Sequence, residues 1–214
     1  EGSDNFDQWA QIRYLIARSW KIDKAFAMLE ASAKWRAETN PDSTVCARCV
    51  KEPNSHMMQF CGWDLEHRPV LYLSFRWAQN RRDPQEGLLH SLETFNHAVS
   101  LMPQGVEQWI AINDFVTYSH WNDGSPKQSS GVIKMMQDHF PERLRLQILI
   151  DPPTTFWVLW KCLSPFIDAK TKDKVRFWYT TQEPNIKDEF PKLFPPALSD
   201  YLIETYNNNK IVKK

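Results

Sequence analysis

Apolar residues spaced three and four positions apart predict two amphipathic helices at the start of the chain. The first helix covers residues 6–18 and the second covers residues 23–38, with Asn40-Pro41 ending the second. Each helix carries one apolar stripe, which we expect to be buried against the rest of the protein. The stripes consist of Trp9, Ile12, Leu15 and Ile16 in the first helix, and of Phe26, Leu29 and Ala33 in the second.

From residue 67 onward, short apolar strands alternate with helices. Strands separated by helices of this length are typical of βαβ units, so the sequence predicts an α/β fold with a mostly parallel β-sheet covered by helices. No internal repeat or linker-like segment divides this region. We expect a helical subregion over residues 1–45 and one α/β domain over residues 46–214. Strands are predicted over residues 69–75, 106–113, 144–150 and 174–179, and helices over 85–101, 129–139, 156–163, 187–193 and 197–206.

Composition excludes several classes of protein. At 214 residues with 42% hydrophobic content, the chain is long enough to bury one well-formed core. Lys and Arg together number 26, as do Asp and Glu, so no net charge attracts the chain to nucleic acid. Apolar runs such as residues 156–160 are far shorter than the roughly 18 residues of a membrane span. The chain has neither a glycine-rich dinucleotide fingerprint nor a phosphate-binding P-loop, which argues against a nucleotide-binding Rossmann domain.

The cysteines raise the question of a metal site. Cys46 and Cys49 form a Cys-x-x-Cys pair that is followed by His56 and Cys61, and zinc binds thiolate and imidazole ligands. The interval to His56 is longer than in a usual zinc knuckle, and residues 57–60 resemble a strand. We therefore favour small thiols in a connecting segment and assign no metal ligand, while metal binding at Cys46 and Cys49 stays open. Without a disulfide pattern, a reducing cytosol is the simplest setting.

Two other groups of polar residues suggest chemistry only weakly. His90 and His97 are two turns apart on one predicted helix, but two ligands make a poor metal site, so we expect a solvated or capped helix face. His120, Asp123 and Ser125 lie in a polar turn that suggests a hydrolase, yet no Gly-x-Ser-x-Gly elbow accompanies them. We therefore expect that the protein is not an enzyme, and a lipid hydrolase is the least favoured function.

Residues 137–175 combine an aromatic segment with a few placed charges. A Pro141-Glu142-Arg143 turn precedes an apolar strand, a Pro-Pro break, an aromatic helix and a Thr171-x-x-Lys174 pair. At positions i and i+3 near a helix start, the hydroxyl and the ammonium share a face and form a candidate phosphate clamp. No nucleophile–base pair is present, so this segment suits a protein that holds an amphiphile rather than transforms it.

Taken together, these motifs resemble the CRAL-TRIO lipid-binding family, and within it the phosphatidylinositol-transfer branch. The resemblance extends over nearly the whole chain, and its specificity comes from the motifs occurring in the family's order. They are Tyr-Leu-Ile-Ala-Arg-Ser-Trp-Lys-Ile-Asp over residues 14–23, Lys34-Trp35-Arg36, Gly62-x-Asp64 with Arg68-Pro69-Val70, His139-Phe140-Pro141-Glu142-Arg143, Trp160-Lys161, Pro165-Phe166-Ile167-Asp168, and Thr171 with Lys174.

The resemblance implies an α/β sheet that floors a lipid cavity, with a mobile helical gate over roughly residues 155–169. It also implies that Arg18, Glu142, Thr171 and Lys174 bind a phosphatidylinositol headgroup. Lys174 and Thr171 would meet the phosphate, Glu142 would accept hydrogen bonds from inositol hydroxyls, and Arg18 would pair with Glu142. The residues expected to line the cavity or its gate are Trp109, Ala111, Phe156, Leu159, Trp160, Phe166 and Ile167.

The function implied is that of a soluble, cytoplasmic protein that sequesters phosphatidylinositol and exchanges it at membrane surfaces. We expect a monomer without a cofactor and without a nucleic-acid partner. Trp109 and Ala111 stand where phosphatidylcholine-transferring members use a Ser-x-Thr pair, which argues against choline lipids. A sterol, retinoid or tocopherol is an alternative ligand, favoured if Trp109 narrows the pocket. A lipid-sensing module of a larger protein is another, suggested by the abrupt start at Glu1 and the lysine-rich end at Lys214.

Overall fold

A five-stranded sheet forms the centre of the protein. The computed structural model describes residues 6–53, 56–77, 83–118, 126–183 and 185–211. The sheet runs in the order β1-β2-β3-β4-β5; β1 is antiparallel to β2, and the remaining neighbours are parallel. The predicted α/β fold with a mostly parallel sheet is therefore confirmed. The strands are β1 (Met58–Trp63), β2 (Pro69–Ser74), β3 (Trp109–Asp114), β4 (Leu144–Ile150) and β5 (Val175–Trp178).

Helices cover both faces of this sheet. Two N-terminal helices are followed by a short helix, by helices between the strands, and by two C-terminal helices. Those predicted over residues 156–163 and 187–193 are found with bounds that agree within one residue. The described helices are α1 (Gln8–Ala17), α2 (Ile22–Thr39), α3 (Ala47–Lys51), α4 (Pro84–Ser100), α5 (Pro126–His139), α6 (Phe156–Leu163), α7 (Ala169–Lys172), α8 (Ile186–Leu193) and α9 (Pro196–Ile211), with 3₁₀ turns at Pro41–Ser43 and Ser164–Phe166.

Alternation along the strands separates two cores. On β2, Val70 and Tyr72 point to one face, where they pack with α8 and α9, while Leu71 and Leu73 point to the other. The first face is densely filled by large side chains, which include Phe190, Phe194, Leu202 and Tyr206 from the C-terminal helices. The second face is covered by α4, α5 and α6 and holds two further apolar clusters.

The Gly62-x-Asp64…Arg68-Pro69-Val70 motif forms the β1–β2 hairpin turn. One oxygen of the Asp64 carboxylate accepts hydrogen bonds from the backbone amides of Glu66 and Arg68, at 2.9 and 2.7 Å. The other oxygen accepts a hydrogen bond of 3.0 Å from the Arg68 guanidinium. This part of the motif therefore has a structural role, as a turn into a buried strand, and it positions the edge of the sheet.

The expected burial of the N-terminal stripes is wrong in part. Trp9 is 56% exposed and Phe26 is 60% exposed, whereas the smaller Ala10 and Ala25 are buried. Contacts between α1 and α2, and between α2 and α5, bring the helices close, and small side chains permit this approach. On both helices, the face that packs against the protein is therefore offset from the apolar stripe that the sequence predicts.

A buried ionic network connects α1 with the sheet. The Glu107 carboxylate, just before β3, accepts hydrogen bonds from the Arg13 guanidinium and, at 3.0 Å, from the Arg143 guanidinium. Arg143 also donates to the Glu107 carbonyl at 3.0 Å. The side chains of Arg13 and Arg143 are only 6% and 5% exposed. One carboxylate thus holds two buried cations and fixes the turn that carries Glu142.

Replacing Glu107 with Gln should lower the free energy of unfolding by about 2–3 kcal/mol, because two buried guanidinium groups lose their shared carboxylate. Urea unfolding followed by circular dichroism measures this change. The matched control is Glu38→Gln, which removes an exposed pair with Lys34 and should leave stability unchanged. Equal stability of the two variants would show that the network contributes little.

Candidate functional site

An apolar cavity lies between the second face of the sheet and helices α4, α5 and α6. Its volume is about 270 Å³. Polar groups are few; among them the amide of Gln147 donates to the Asn113 side chain at 3.1 Å, so these polar groups satisfy each other. The apolar lining includes Leu73, Phe75, Phe115, Leu144, Leu149 and Val175 from the sheet region, Val132, Ile133 and Met136 from α5, and Phe156, Leu159, Trp160 and Leu163 from α6.

Helix α6 forms one wall of this cavity and is apolar on both sides. Phe156, Leu159 and Leu163 are buried toward the cavity, while Val158 is 59% exposed on the outside. Trp157 stacks on Phe177 of β5, with ring centroids 4.8 Å apart. The helix therefore rests on the sheet through aromatic contacts rather than through ion pairs among the described residues.

Seven residues were predicted to line the cavity or its gate. Four of them do line the cavity, namely Phe156, Leu159, Trp160 and Ile167. Phe166 does not; it is 69% exposed, because it lies in the 3₁₀ turn after α6 with its side chain outside. It lies instead at the border of a second, more polar pocket beside the cavity, which is described below.

Contrary to the expectation that they line the cavity or its gate, Trp109 and Ala111 are absent from the cavity lining among the described residues. Trp109 is fully buried in the adjacent core, stacked on Phe95 with ring centroids 5.1 Å apart and packed against Phe140. Ala111 packs against the same cluster. On β3 it is Asn113, farther along the same face, that reaches the cavity. Trp109 therefore does not narrow the pocket.

All four predicted headgroup residues line one polar pocket beside the cavity. Arg18 comes from the end of α1, Glu142 from the turn before β4, and Thr171 and Lys174 from the segment before β5. This pocket has a volume of about 520 Å³. Thr171 lines both the pocket and the cavity, as do Leu144 and Ile167. The structure thus brings together residues that are far apart in sequence, at the boundary between a polar and an apolar space.

The ion pairs of Glu142 differ from the expected pairing with Arg18. The Glu142 carboxylate accepts hydrogen bonds from the ammonium groups of Lys170, at 2.8 Å, and Lys174, at 3.3 Å. Arg18 donates to the carbonyl of Ala17 at 3.3 Å, and no ion pair among the described residues includes it. Sequence reasoning missed Lys170, which has no motif of its own and is recognisable only by its position next to Thr171.

Thr171 and Lys174 do not share a helix face, because α7 ends at Lys172. Asp168 caps this short helix: its carboxylate accepts hydrogen bonds from the Thr171 amide, at 2.9 Å, and from the Thr171 hydroxyl, at 2.7 Å. Burial raises the pKa of Asp168, but the hydrogen bonds from Thr171 outweigh burial and hold the pKa below its usual value. The Thr171 hydroxyl must therefore turn away from Asp168 before it donates to a ligand.

The pocket lining balances its charges. Each carboxylate already has a partner, since Asp138 pairs with Lys134 at 2.6 Å and the other two are described above. An anionic ligand must therefore compete with Glu142 for the lysines, whereas Arg18 has no competing carboxylate among the residues described. The charged residues that line the pocket are Arg18, Lys170 and Lys174, and Asp138, Glu142 and Asp168.

A Ser–His pair at the end of α5 is structural. The Ser32 hydroxyl lies 3.0 Å from His139 Nδ1, and the His139 ring stacks on Trp35 with centroids 3.8 Å apart. Ser32 is fully buried, so a substrate cannot reach it. The weaker hydrolase candidates, His120, Asp123 and Ser125, lie outside the described residues. The pair fastens α2 to α5, and burial lowers the pKa of His139 to about 4.

Because the folded pKa of His139 lies below the ordinary value of 6.5, the unfolded chain binds more protons between about pH 4 and 6.5. The contribution of neutral His139 is fully present above pH 6.5 and is lost as the pH falls toward 4. We expect His139→Gln to remove about 1–2 kcal/mol of the pH-dependent stability in this window, after allowance for solvent screening. Urea midpoints of both proteins at several pH values measure the difference. Parallel pH profiles for the two proteins would contradict the assignment.

Comparison with known proteins gives a consistent picture. A family model described as the CRAL/TRIO domain matches residues 54–198. A CRAL-TRIO domain-containing protein of Schizosaccharomyces pombe is 29% identical over 166 residues, which cover 78% of this chain and 16% of that protein. Phosphatidylinositol transfer protein PDR17 of Saccharomyces cerevisiae is 31% identical over 182 residues, which cover 78% of this chain and 51% of that protein. The chain thus spans about half the length, or less, of these two relatives.

A solved structure has the same fold. The crystal structure of Sfh5 superposes with a TM-score of 0.65 at 19% sequence identity, and the match covers 80% of this chain and 63% of that one. Within the described part of the chain, we find no helix with both the length and the apolar character needed to cross a bilayer.

Proposed function

The chain belongs to the CRAL/TRIO domain family, and we propose that it binds phosphatidylinositol and exchanges this lipid at membrane surfaces. In this proposal the headgroup occupies the polar pocket and the acyl chains occupy the apolar cavity. The observation that carries it is the contact between the two spaces, which share Thr171, Ile167 and Leu144. An amphiphile needs such a boundary, whereas a wholly apolar ligand does not. The name of the yeast relative, a phosphatidylinositol transfer protein, points the same way.

For exchange to occur, the free energy of burying the acyl chains in the cavity needs only to equal the free energy of burying them in the bilayer. Two acyl chains carry about thirty methylene groups, and burying each is worth ~0.8 kcal/mol, or about 25 kcal/mol in all. Nearly all of this free energy is already gained in the membrane. Net transfer therefore depends on headgroup contacts and on the barrier for opening the cavity.

Entry of a two-chain lipid requires the α6 segment to move outward. The cavity volume of about 270 Å³ is small for such a ligand. Within the described part of the chain, residues 156–166 are held down by a hydrogen bond of 2.7 Å from the Gln137 side chain to the Phe166 carbonyl. Their other contacts with the rest of the protein are apolar, such as Trp157 on Phe177 and Leu159 in the cluster with Leu149. Apolar contacts lose little when lipid tails replace them, which makes α6 suited to act as a gate at a membrane.

The outer side of the gate supports membrane contact. Val158 and Phe166 are 59% and 69% exposed, and Trp157 is 36% exposed. These apolar side chains lie on the same segment whose inner side lines the cavity. Insertion of this side into the interface would couple membrane binding to gate opening, because one segment carries both the outer side chains and those that line the cavity.

The polar pocket offers donors and acceptors that suit a phosphoinositol headgroup. Arg18 and Lys174 supply charge-assisted hydrogen bonds to the phosphate, and Glu142 accepts hydrogen bonds from inositol hydroxyls. Binding then exchanges the Lys174–Glu142 contact of 3.3 Å for contacts with the ligand. We further propose that the chain acts without catalysis, since the Ser–His pair that the structure describes is closed to substrate.

Replacing both Thr171 and Lys174 with Ala should reduce phosphatidylinositol pickup from vesicles at least tenfold, since two headgroup contacts are lost. Lipid extraction and quantification after re-isolation of the protein measure pickup. Lys192→Ala is the control, because Lys192 pairs with Glu189 on the surface of α8, away from the pocket. Circular dichroism should show that both variants are folded. Undiminished pickup by the double variant would refute the headgroup assignment.

Replacing Val158 with Ser should slow lipid transfer between vesicles at least twofold while leaving the amount of lipid bound at equilibrium unchanged. The Val158 side chain lines neither the cavity nor the polar pocket, so it acts on the encounter with the membrane and not on the bound state. Fluorescent-lipid transfer kinetics measure the rate. The control is Ile211→Ser, which removes a side chain that is 73% exposed on α9. Equal loss of rate and of bound lipid would contradict the assignment.

A compact apolar ligand, such as a sterol, retinoid or tocopherol, is a second candidate. The small volume of the cavity favours it, although the narrowing by Trp109 that first suggested it is absent. Such a ligand would leave the polar pocket without a function. Competition separates the two: a sterol, retinoid or tocopherol that displaces phosphatidylinositol and binds equally well to the Thr171→Ala, Lys174→Ala double variant would favour the compact ligand.

A further inference from the structure

Four potential metal ligands converge at one end of the cavity, where α3, α4 and the start of β1 meet. Cys46 and Cys49 flank the start of α3, His56 precedes β1, and His90 lies on α4. One ligand atom from each lies within 4.8 Å of the others. Cys46 and His56 are buried, and the other two are half-buried. The constellation is separate from the polar pocket, but His56 and His90 line the apolar cavity.

The distances suit a tetrahedral metal ion. His56 Nδ1 lies 3.1 Å from the Sγ atoms of both Cys46 and Cys49, and His90 Nδ1 lies 3.5 Å from Cys49 Sγ. Zinc–sulfur and zinc–nitrogen bonds of ordinary length place neighbouring ligand atoms about 3.3–3.8 Å apart around a tetrahedral ion. Hydrogen bonding alone accounts poorly for this arrangement, because one imidazole nitrogen faces two thiols and makes one such bond at a time.

Groups around the four ligands orient them for a metal. His90 Nε2 lies 2.7 Å from the Met58 carbonyl, which only accepts hydrogen bonds, so Nε2 carries the proton and Nδ1 turns its lone pair toward Cys49. The Cys49 amide donates a hydrogen bond to Cys46 Sγ at 3.4 Å, which fixes the position of this sulfur. On the far side of His56, Nε2 lies 4.0 Å from the Glu86 carboxylate. A hydrogen bond such as that from His90 Nε2 to the Met58 carbonyl commonly orients a histidine ligand in a metal site.

We propose that Cys46, Cys49, His56 and His90 form a structural site for a divalent, thiolate-preferring metal ion, with zinc as the best fit. Two thiolates and two imidazoles complete a tetrahedral shell, which leaves no position for a substrate and distinguishes the site from a catalytic one. The ion would fasten the segment from Cys46 to His56 onto α4 and β1, and would so fix one end of the cavity. Sequence spacing hides the site, since His90 comes from the following helix.

Cobalt substitution tests the site on the unaltered chain. Reduced, metal-free protein titrated with Co²⁺ should bind one ion per chain with the intense visible bands of tetrahedral cobalt and a thiolate charge-transfer band, and Zn²⁺ should displace both. Elemental analysis of protein purified in the presence of zinc should find one zinc per chain. Absence of a stoichiometric tetrahedral cobalt species in the reduced protein, or a Cys46–Cys49 disulfide as the stable form after mild reduction, would overturn the proposal.

Single substitutions test which side chains bind the metal ion. Cys49→Ser and His90→Gln should each weaken zinc binding by more than about 100-fold, beyond the usual effect of losing an outer-shell partner. Cys61→Ser and His97→Gln are the matched controls: Cys61 packs against the opposite face of the sheet, and His97 is exposed on the same helix as His90. Both controls should bind zinc as the unaltered chain does. Equal weakening in ligand and control variants would overturn the ligand assignment.

Discussion

The packing of two faces of one sheet governs the rest of this structure. Strand alternation sends Val70 and Tyr72 toward the C-terminal helices, where large aromatic and aliphatic side chains fill the space. On the opposite face, Leu73 and Leu149 meet helices that leave a cavity between themselves and the sheet. The cavity therefore arises from incomplete coverage of one face, while the other face is fully packed.

Charge is placed where this cavity opens to the polar pocket. Glu142 sits in a turn with a φ of 59°, next to Arg143, whose buried guanidinium donates to the half-buried Glu107 carboxylate. Two adjacent residues of one short turn thus serve different sites: Arg143 belongs to the ionic network with Glu107, and Glu142 belongs to the proposed headgroup site. Three cationic and three anionic side chains line the pocket, so their formal charges cancel, and Glu142 pairs with two of the cations, Lys170 and Lys174. The proposed headgroup, which carries both a phosphate and hydroxyls, offers partners for the lysines and for Glu142 together.

Much of the fold could be predicted from local patterns. Strand β4 and helix α6 have the bounds predicted, because an apolar run flanked by Pro-rich turns admits few alternatives. The surroundings of individual side chains were harder to predict. Trp109 lies on the correct face of β3, but its depth along the strand places it under α4 rather than beside the cavity. Trp9 and Phe26 are exposed because helix packing selects the small residues beside them.

Motif order predicted four headgroup residues, and the structure brings these four residues to one pocket. The partners within the pocket could not be read from the sequence, since Lys170 is distinguished only by its distance to Glu142. The same limit applies to the Cys and His cluster, whose ligands come from separate elements. Contacts between elements depend on tertiary packing, and a single sequence records them only indirectly.

Native mass spectrometry of the protein after incubation with mixed-lipid vesicles tests the central claim most directly, because it identifies the bound lipid by mass. The account predicts one phosphatidylinositol per chain, selected over phosphatidylcholine present in excess. Selection of phosphatidylcholine or of a sterol, or recovery of the protein without any lipid, would contradict it.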